Sequence, residues 1–187
     1  RRSDEAIELI NNVLKISKLR IEDSFIKEEV DIASILARAI KSAKVNAEAK
    51  GVKLTLINHR KEKHTIEGDP LLIQIALSNI ISNAIKYNNM DGIVEIEVDE
   101  DKDNLIIKVS DNGVGIPKEE TEKIFNDFYR ASNIKHGSVE GSGLGLSVVK
   151  QIVERHNGTI NVQSPSHLST NKYPGTCVKI TLPYIKK

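Results

Sequence analysis

The stretch that decides the fold reads Asp-Asn-Gly-Val-Gly-Ile-Pro and occupies residues 111–117. It directly follows residues 105–110, whose alternation of side chains predicts a β-strand. Glycine lets the backbone approach a ligand closely, and Asp111 at the strand end can direct its carboxylate into a ligand crevice. A carboxylate can accept a hydrogen bond from the exocyclic amine of adenine, whereas guanine presents a carbonyl oxygen there. The stretch therefore favours adenine by about tenfold or more, although a simple Asp-Asn-Gly turn would show the same residues.

A predicted helix upstream supplies amide and lysine side chains. Asp69, followed by proline, is a helix start signal, and apolar spacing continues to about Tyr87. Asn79 and Asn83 are four residues apart, so their amides share one helix face, with Lys86 close behind. An amide oxygen is a neutral ligand that Mg²⁺ accepts when phosphates and waters complete its shell. The pattern predicts the wall of a polar cleft, and a solvated helix face remains the alternative.

A second glycine-rich stretch, Gly-Ser-Gly-Leu-Gly-Leu at residues 141–146, opens a predicted helix that ends at His156. Backbone amides at a helix start form an anion site suited to a polyphosphate. An irregular loop is predicted over residues 126–142, and it begins within the segment Phe125 to Arg130. From this loop Arg130 can reach a phosphate. An ordinary helix start would explain the glycines on their own.

The remaining elements complete an α+β pattern. Asp31 is a predicted N-cap for a helix that ends at Lys50, and Pro117 opens a short helix. The order of elements predicts helices and a mixed sheet in two layers. Strands are predicted over residues 52–56, 93–99, 105–110, 159–164 and 176–183.

Residues 3–24 predict a long helix with two adjacent apolar stripes. So wide an apolar face is typical of a bundle helix that contacts two neighbours, and packing on its own domain is the alternative. Because Arg1 already lies inside the helical pattern, we expect the chain to be a piece of a longer protein.

Composition excludes several classes of function. The 187 residues are 39% hydrophobic, and 27 basic against 26 acidic side chains leave a charge of +1, so we expect no nucleic-acid partner and no membrane contact from this segment. A single cysteine, Cys177, excludes an internal disulfide framework and favours a reducing, cytoplasmic setting. The P-loop and dinucleotide-binding signatures are missing, as is any metal-ligand spacing of histidines and cysteines.

In this order, the motifs resemble the ATP-binding catalytic domain of two-component sensor histidine kinases, whose fold is shared with gyrase, heat-shock chaperone and mismatch-repair ATPases. The resemblance covers about residues 30–185 and implies a Bergerat-type α+β two-layer sandwich, a mixed sheet with helices on one face. It divides the chain into residues 1–28, which look like part of the second helix of the dimerisation hairpin, and a catalytic domain over residues 29–187. The motifs that carry it are an N box at residues 79–87, a first glycine box at 111–117, an F box at 125–130 and a second glycine box at 141–146.

The resemblance implies ATP and Mg²⁺ as cofactors. Asn83 would ligate Mg²⁺, Lys86 and Arg130 would contact phosphates, and these three would carry catalysis. Asp111 would bind the adenine amine, supported by Thr176, and residues 126–142 would form a lid over ATP. The nucleotide would also contact Asn79, Tyr87, Gly113, Gly115, Ile116, Tyr129, Gly141, Gly143, Leu144, Gly145 and Leu146.

Asn79 separates this chain from hydrolytic relatives. The hydrolysing members carry a glutamate four residues before the metal-binding asparagine, where it activates water. An amide cannot act as a general base, so the resemblance implies phosphoryl transfer rather than rapid hydrolysis. A non-catalytic nucleotide-sensing module and an ATP hydrolase of the same superfamily remain the alternatives.

The chain lacks the residue that the family phosphorylates. In the family, the complete protein transfers the γ-phosphoryl group of ATP to a histidine on the first dimerisation helix, and from there to an aspartate of a response-regulator receiver domain. That acceptor histidine is followed by an acidic residue, and none of the histidines here is. The resemblance implies a homodimer through the hairpin and a membrane-anchored parent, whereas this segment should not label itself. The histidines are His59, His64, His136, His156 and His167.

Overall fold

The computed structural model describes residues 27–60, 65–134 and 141–185. The predicted helix over residues 3–24 lies outside these ranges, as does part of the predicted lid, residues 135–140. Within the described residues, no helix is both long enough and apolar enough to cross a membrane.

The part of the chain that the structure describes contains three helices, which form where the start and stop signals predict them: α1 (Ile32–Lys50), α2 (Pro70–Lys86) and α3 (Gly145–Arg155). The Asp31 side chain accepts a hydrogen bond from the amide of Ala33 at the start of α1. Gly51 ends that helix at φ 70°, a left-handed conformation that favours glycine. Asp69 accepts hydrogen bonds from two amides of the first turn of α2, which confirms its predicted role as N-cap.

The same described ranges contain seven strands: β1 (Glu28–Val30), β2 (Lys53–Asn58), β3 (Ile66–Gly68), β4 (Ile93–Glu100), β5 (Asn104–Asp111), β6 (Thr159–Gln163) and β7 (Thr176–Pro183). Five of them form one sheet in the order β2-β4-β5-β7-β6, in which β2 and β4 are parallel and the other neighbours antiparallel. The mixed sheet with helices matches the predicted two-layer α+β fold.

Two features differ from the sequence prediction. Strands β1 and β3 pair in a separate two-stranded sheet that was not predicted, because three residues are too few to show an alternating pattern. The short helix predicted from Pro117 is instead two 3₁₀ segments, Lys118–Glu120 and Lys123–Phe125. Each is a single turn, so an α-helical period never develops.

One face of the sheet carries the core. Val94, Ile96 and Val98 of β4 are buried, whereas the intervening glutamates are only partly covered. The helices cover the buried face, and α2 packs against both α1 and α3. Because Asp111 pairs with Val94 in the antiparallel register, its side chain leaves β5 on the helix-covered face. The pleat therefore turns this carboxylate toward α2.

His156 joins the end of α3 to the start of α2. The ring is buried, its Nε2 accepts a hydrogen bond from the amide of Asp69 at 3.0 Å, and its Nδ1 lies 2.7 Å from the carbonyl oxygen of Ile152. An amide can only donate, so Nε2 is unprotonated and Nδ1 carries the proton that it donates to Ile152. Burial lowers the pKa of His156, which is consistent with this neutral tautomer.

Candidate functional site

A cleft lies between α2, the end of β5 and the turn that enters α3. It brings together segments that are far apart in the sequence, and most of the predicted site residues line it. The predicted residues in its walls are Asn79, Asn83, Lys86, Tyr87, Asp111, Gly115, Ile116, Tyr129, Arg130, Gly141, Gly143, Gly145, Leu146 and Thr176.

Asp111 is the buried carboxylate of this cleft, with 6% of its surface exposed. Its Oδ1 accepts hydrogen bonds from the amides of Gly113 at 2.8 Å and Thr176 at 3.2 Å. Burial raises the pKa of Asp111 to about 6, and the two amide hydrogen bonds oppose that rise. Since both amides bind Oδ1, the second carboxylate oxygen is the one available to a ligand in the cleft.

The amides of α2 face the start of α3. A Cβ atom at Gly145 would lie 3.5 Å from Asn83 Nδ2 and 3.8 Å from Asn79 Oδ1, so the first residue of α3 is next to both side chains. Leu144 at the N-cap gives no side-chain hydrogen bond to the first turn of α3. Asn83, the predicted metal ligand, its neighbour Asn79 and the positive end of a helix therefore share one corner of the cleft.

The Lys86 side chain lies at the neighbouring corner of the cleft, beside Tyr87 and Gly141. Its Nζ lies 5.7 Å from the centre of the Tyr87 ring and 2.8 Å from the position that a Cβ of Gly141 would occupy. Lys50 of α1 fixes this end of α2, because its Nζ donates to the carbonyl oxygens of Ile85 at 3.1 Å and Lys86 at 2.8 Å. No sequence motif marks Lys50, because its role depends on a tertiary contact between two helices.

The beginning of the predicted lid is held by side-chain hydrogen bonds to residues 114–120. Glu120 accepts hydrogen bonds from the backbone amide of Ser132 at 2.8 Å and from its hydroxyl at 2.6 Å, and these lower the pKa of Glu120. Asn133 Nδ2 donates to the carbonyl oxygens of Val114 and Gly115 at 3.2 and 3.0 Å. These contacts place the segment that follows Arg130 beside residues 111–117.

Two predicted contact residues, Gly113 and Leu144, are not among the residues that line the cleft. Gly113 lies behind Asp111, where any side chain would collide with the carbonyl oxygen of Tyr87. Leu144 is buried, and its carbonyl oxygen accepts a hydrogen bond from Ser147 Oγ at 3.0 Å. Both positions shape the backbone around the cleft.

Most of the apolar lining of the cleft was not predicted from the sequence. The alternation in β5 and the apolar stripe of α2 identify Val109 and Ile80 as core residues, but not the part of each that reaches the cleft. The additional lining residues are Ile80, Ser82, Ala84, Val109, Val114, Ile124, Ala131, Ile134, Ser142 and Val178. A flat apolar group such as a nucleobase suits these walls.

Comparisons with known proteins agree with the fold and the motifs. Residues 68–186 match the family described as histidine kinase-, DNA gyrase B- and HSP90-like ATPase. The chain is 33% identical over 186 residues to the sensor histidine kinase WalK of Bacillus subtilis (strain 168), covering 97% of this chain and 29% of that protein. The chain thus spans less than a third of the length of this relative.

Solved structures show the same likeness. The mycobacterial sensor histidine kinase MprB superposes with a TM-score of 0.72 at 28% identity, covering 85% of this chain and 98% of that one. The histidine kinase ThkA, solved in complex with the response regulator protein TrrA, gives a TM-score of 0.76 over 97% of this chain and 48% of that one, at 21% identity. The chain belongs to the histidine kinase-, DNA gyrase B- and HSP90-like ATPase family and is homologous to sensor histidine kinases.

Proposed function

We propose that this chain is the catalytic region of a sensor histidine kinase, which binds Mg²⁺-ATP in the cleft. The observation that carries the proposal is the buried Asp111 carboxylate, oriented by two amides in a cleft that Lys86 and Arg130 also line. The rise in the pKa of this carboxylate comes from its burial. The buried anion and the two cations line one cleft, where they would contact different parts of one ligand.

Asp111 would bind the adenine base. Its charged oxygen accepts a hydrogen bond from the exocyclic amine, and the apolar walls contributed by Val109, Ile116 and Val178 cover the ring faces. A guanine carbonyl in the same place would leave two acceptors opposed and a buried charge without a donor.

The polyphosphate would extend toward the start of α3. Lys86 and Arg130 would bind its oxygens, and the amides of the first turn of α3 add positive charge. Asn83 would hold Mg²⁺, with Asn79 one turn away, because an amide oxygen is a hard ligand that leaves the other positions to phosphate and water. Bound Mg²⁺ would neutralise charge on the phosphates.

Transfer to another protein is favoured over hydrolysis. Asn79 lines the cleft at the position where the hydrolytic relatives carry their glutamate, and an amide cannot accept the proton of an attacking water. The chain would then contribute in-line positioning and charge stabilisation, while the nucleophile comes from a histidine outside it.

The complete protein would relay this phosphoryl group to an aspartate of a response-regulator receiver domain. We further propose that residues 1–28 belong to a dimerisation hairpin and that residues 29–187 form the catalytic domain. The complete protein would be a homodimer, with this segment in the cytoplasm and the parent anchored at the membrane. The ThkA complex with TrrA supports the partner class, since that protein shares this fold.

Nucleotide binding is tested by titration of the chain with a fluorescent adenine nucleotide in the presence of Mg²⁺. Asp111→Asn should weaken binding by about a hundredfold or more, because the new amide presents a donor to the adenine amine. Asp103→Asn removes the same charge at an exposed position in the turn between β4 and β5, outside the cleft and the predicted lid, and should bind like the wild type. Equal affinities for all three proteins would reject the proposed site.

Phosphoryl transfer is tested with γ-labelled ATP. The chain alone should stay unlabelled, and a separately prepared dimerisation hairpin that carries the acceptor histidine should become labelled when it is added. Nucleotide binding without hairpin labelling would favour a nucleotide-sensing module. Steady phosphate release without any acceptor would favour an ATP hydrolase.

A further inference from the structure

The loop between β6 and β7, residues 164–175, packs behind the carboxylate that the proposed function assigns to adenine. Ser166 in this loop is buried, and its Oγ donates a hydrogen bond to the carbonyl oxygen of Asp111 at 2.7 Å. The same Oγ accepts a hydrogen bond from the amide of Leu168 at 3.1 Å. One hydroxyl thus joins the loop to the main chain of Asp111.

Further contacts extend this packing along residues 111–117. Ser164 Oγ donates to the carbonyl oxygen of Gly175 at 2.8 Å and accepts from the amide of Ile116 at 3.1 Å. The amide of Gly175 donates to the carbonyl oxygen of Gly113 at 3.0 Å. A side chain at Gly175 would collide with the carbonyl oxygen of Asp111, so the two backbones are in direct contact.

The loop is also held to the sheet from its far side. His167 Nε2 lies 2.8 Å from Glu95 Oε1, and Glu95 belongs to β4, the strand that pairs with β5. At the other end, the loop leads into Thr176, whose amide donates to Asp111 Oδ1. The segment 164–176 therefore contacts both the carbonyl and the carboxylate of Asp111.

We infer that residues 164–175 act as a clamp that sets the direction of the Asp111 carboxylate, with Ser166 as the positioning residue for adenine selectivity. This inference rests on the proposed function. Hydrogen bonds weaken steeply when donor and acceptor are misaligned. If the backbone of Asp111 could rotate, the hydrogen bond between its carboxylate and the adenine amine would therefore be weaker. A guanine nucleotide gains nothing from Asp111 in either state, and its affinity should change little.

The test compares Ser166→Ala with Ser169→Ala, a matched control in which an exposed serine of the same loop loses its hydroxyl. Affinities for Mg²⁺-ATP and Mg²⁺-GTP are measured for both variants and the wild type. Ser166→Ala should lower the ratio of ATP to GTP affinity by about tenfold, since one buried hydrogen bond is lost, whereas Ser169→Ala should leave it within about twofold. An unchanged ratio, or an equal loss for both nucleotides, would overturn the inference.

A second variant keeps the test valid if Ser166→Ala does not fold. His167→Ala removes the half-exposed contact to Glu95 and should lower the same ratio by about two- to threefold. No change in this variant, together with an unfolded Ser166→Ala protein, would also contradict the clamp. The wild-type protein tests the proposed function separately from the clamp. If it shows no preference for ATP over GTP, the proposed function itself is rejected. A clear wild-type preference that survives both substitutions would reject the clamp alone.

Discussion

Asp111 and His156 are both buried polar side chains, with 6% and 4% of their surfaces exposed, yet they are satisfied to different degrees. Both ring nitrogens of His156 have hydrogen-bond partners, whereas both amides that bind Asp111 donate to the same oxygen. Burial shifts each pKa toward the neutral form, downward for the histidine and upward for the carboxyl. At neutral pH the histidine is neutral in any case, but Asp111 must remain charged in a buried place. Of these two residues only Asp111 lines the cleft, where a hydrogen bond from a ligand would reduce the free-energy cost of burying its charge.

The two residues should have opposite effects on stability as pH changes. The pKa of Asp111 rises from 3.8 to about 6 on folding, so its charge opposes folding above the pKa of the unfolded state. That cost disappears as pH falls from about 6 toward 3.8. The pKa of His156 is lowered on folding, so its contribution is present above pH 6.5 and is lost as pH falls below that value.

The largest effect on stability is expected from His156→Ala. The substitution removes a buried ring and leaves the amide of Asp69 and the carbonyl of Ile152 without their partner. The free energy of unfolding should fall by about 3 kcal/mol at pH 7.5, and the difference from the wild type should narrow below pH 6.5. Urea unfolding at several pH values measures the loss in free energy of unfolding and its dependence on pH.

The control for this variant is His59→Ala, which changes an exposed histidine and should leave stability within about 0.5 kcal/mol of the wild type. A loss for His156→Ala that is the same at pH 5 and pH 7.5 would contradict the assigned neutral tautomer.

A gain in stability is expected from Asp111→Asn in the absence of nucleotide. The amide oxygen can still accept from Gly113 and Thr176, while the cost of burying a charge disappears. The free energy of unfolding should rise by about 2 kcal/mol at pH 7.5. The gain should shrink by about half at pH 5, where the wild-type carboxyl is largely protonated. A variant that is less stable than the wild type at both pH values would contradict the account.

A smaller effect is expected from Lys50→Met, which removes the two hydrogen bonds to the last turn of α2. Stability should fall by about 1 kcal/mol, and affinity for Mg²⁺-ATP several-fold, because Lys86 loses its support. Lys44→Met, at an exposed position of the same helix, is the matched control. If Lys50→Met bound Mg²⁺-ATP as tightly as the wild type, the hydrogen bonds from Lys50 to the end of α2 would not support the site.

The functional residues differ in whether the sequence alone could identify them. Asp69 and Asp111 were identified because a helix cap and a strand end act through neighbouring residues. Lys50 and Ser166 were missed because their partners lie 36 and 55 residues away, and no local pattern records such contacts. The ligand contact of Gly113 stays a prediction, and the role of its amide as a donor to Asp111 was not foreseen, because a glycine signal indicates close approach without saying to what.

If the cleft keeps a buried carboxylate in order to bind adenine, the charge of Asp111 lowers stability without nucleotide and raises it with nucleotide. Urea unfolding of the wild type and Asp111→Asn at pH 7.5, with and without Mg²⁺-ATP, tests this most directly. Without nucleotide the variant should be the more stable protein by about 2 kcal/mol. With Mg²⁺-ATP at about a thousandfold its dissociation constant from the wild type, the order should reverse, since ligand binding adds about 4 kcal/mol to the wild type and far less to the variant. The same order of stability under both conditions would contradict the claim.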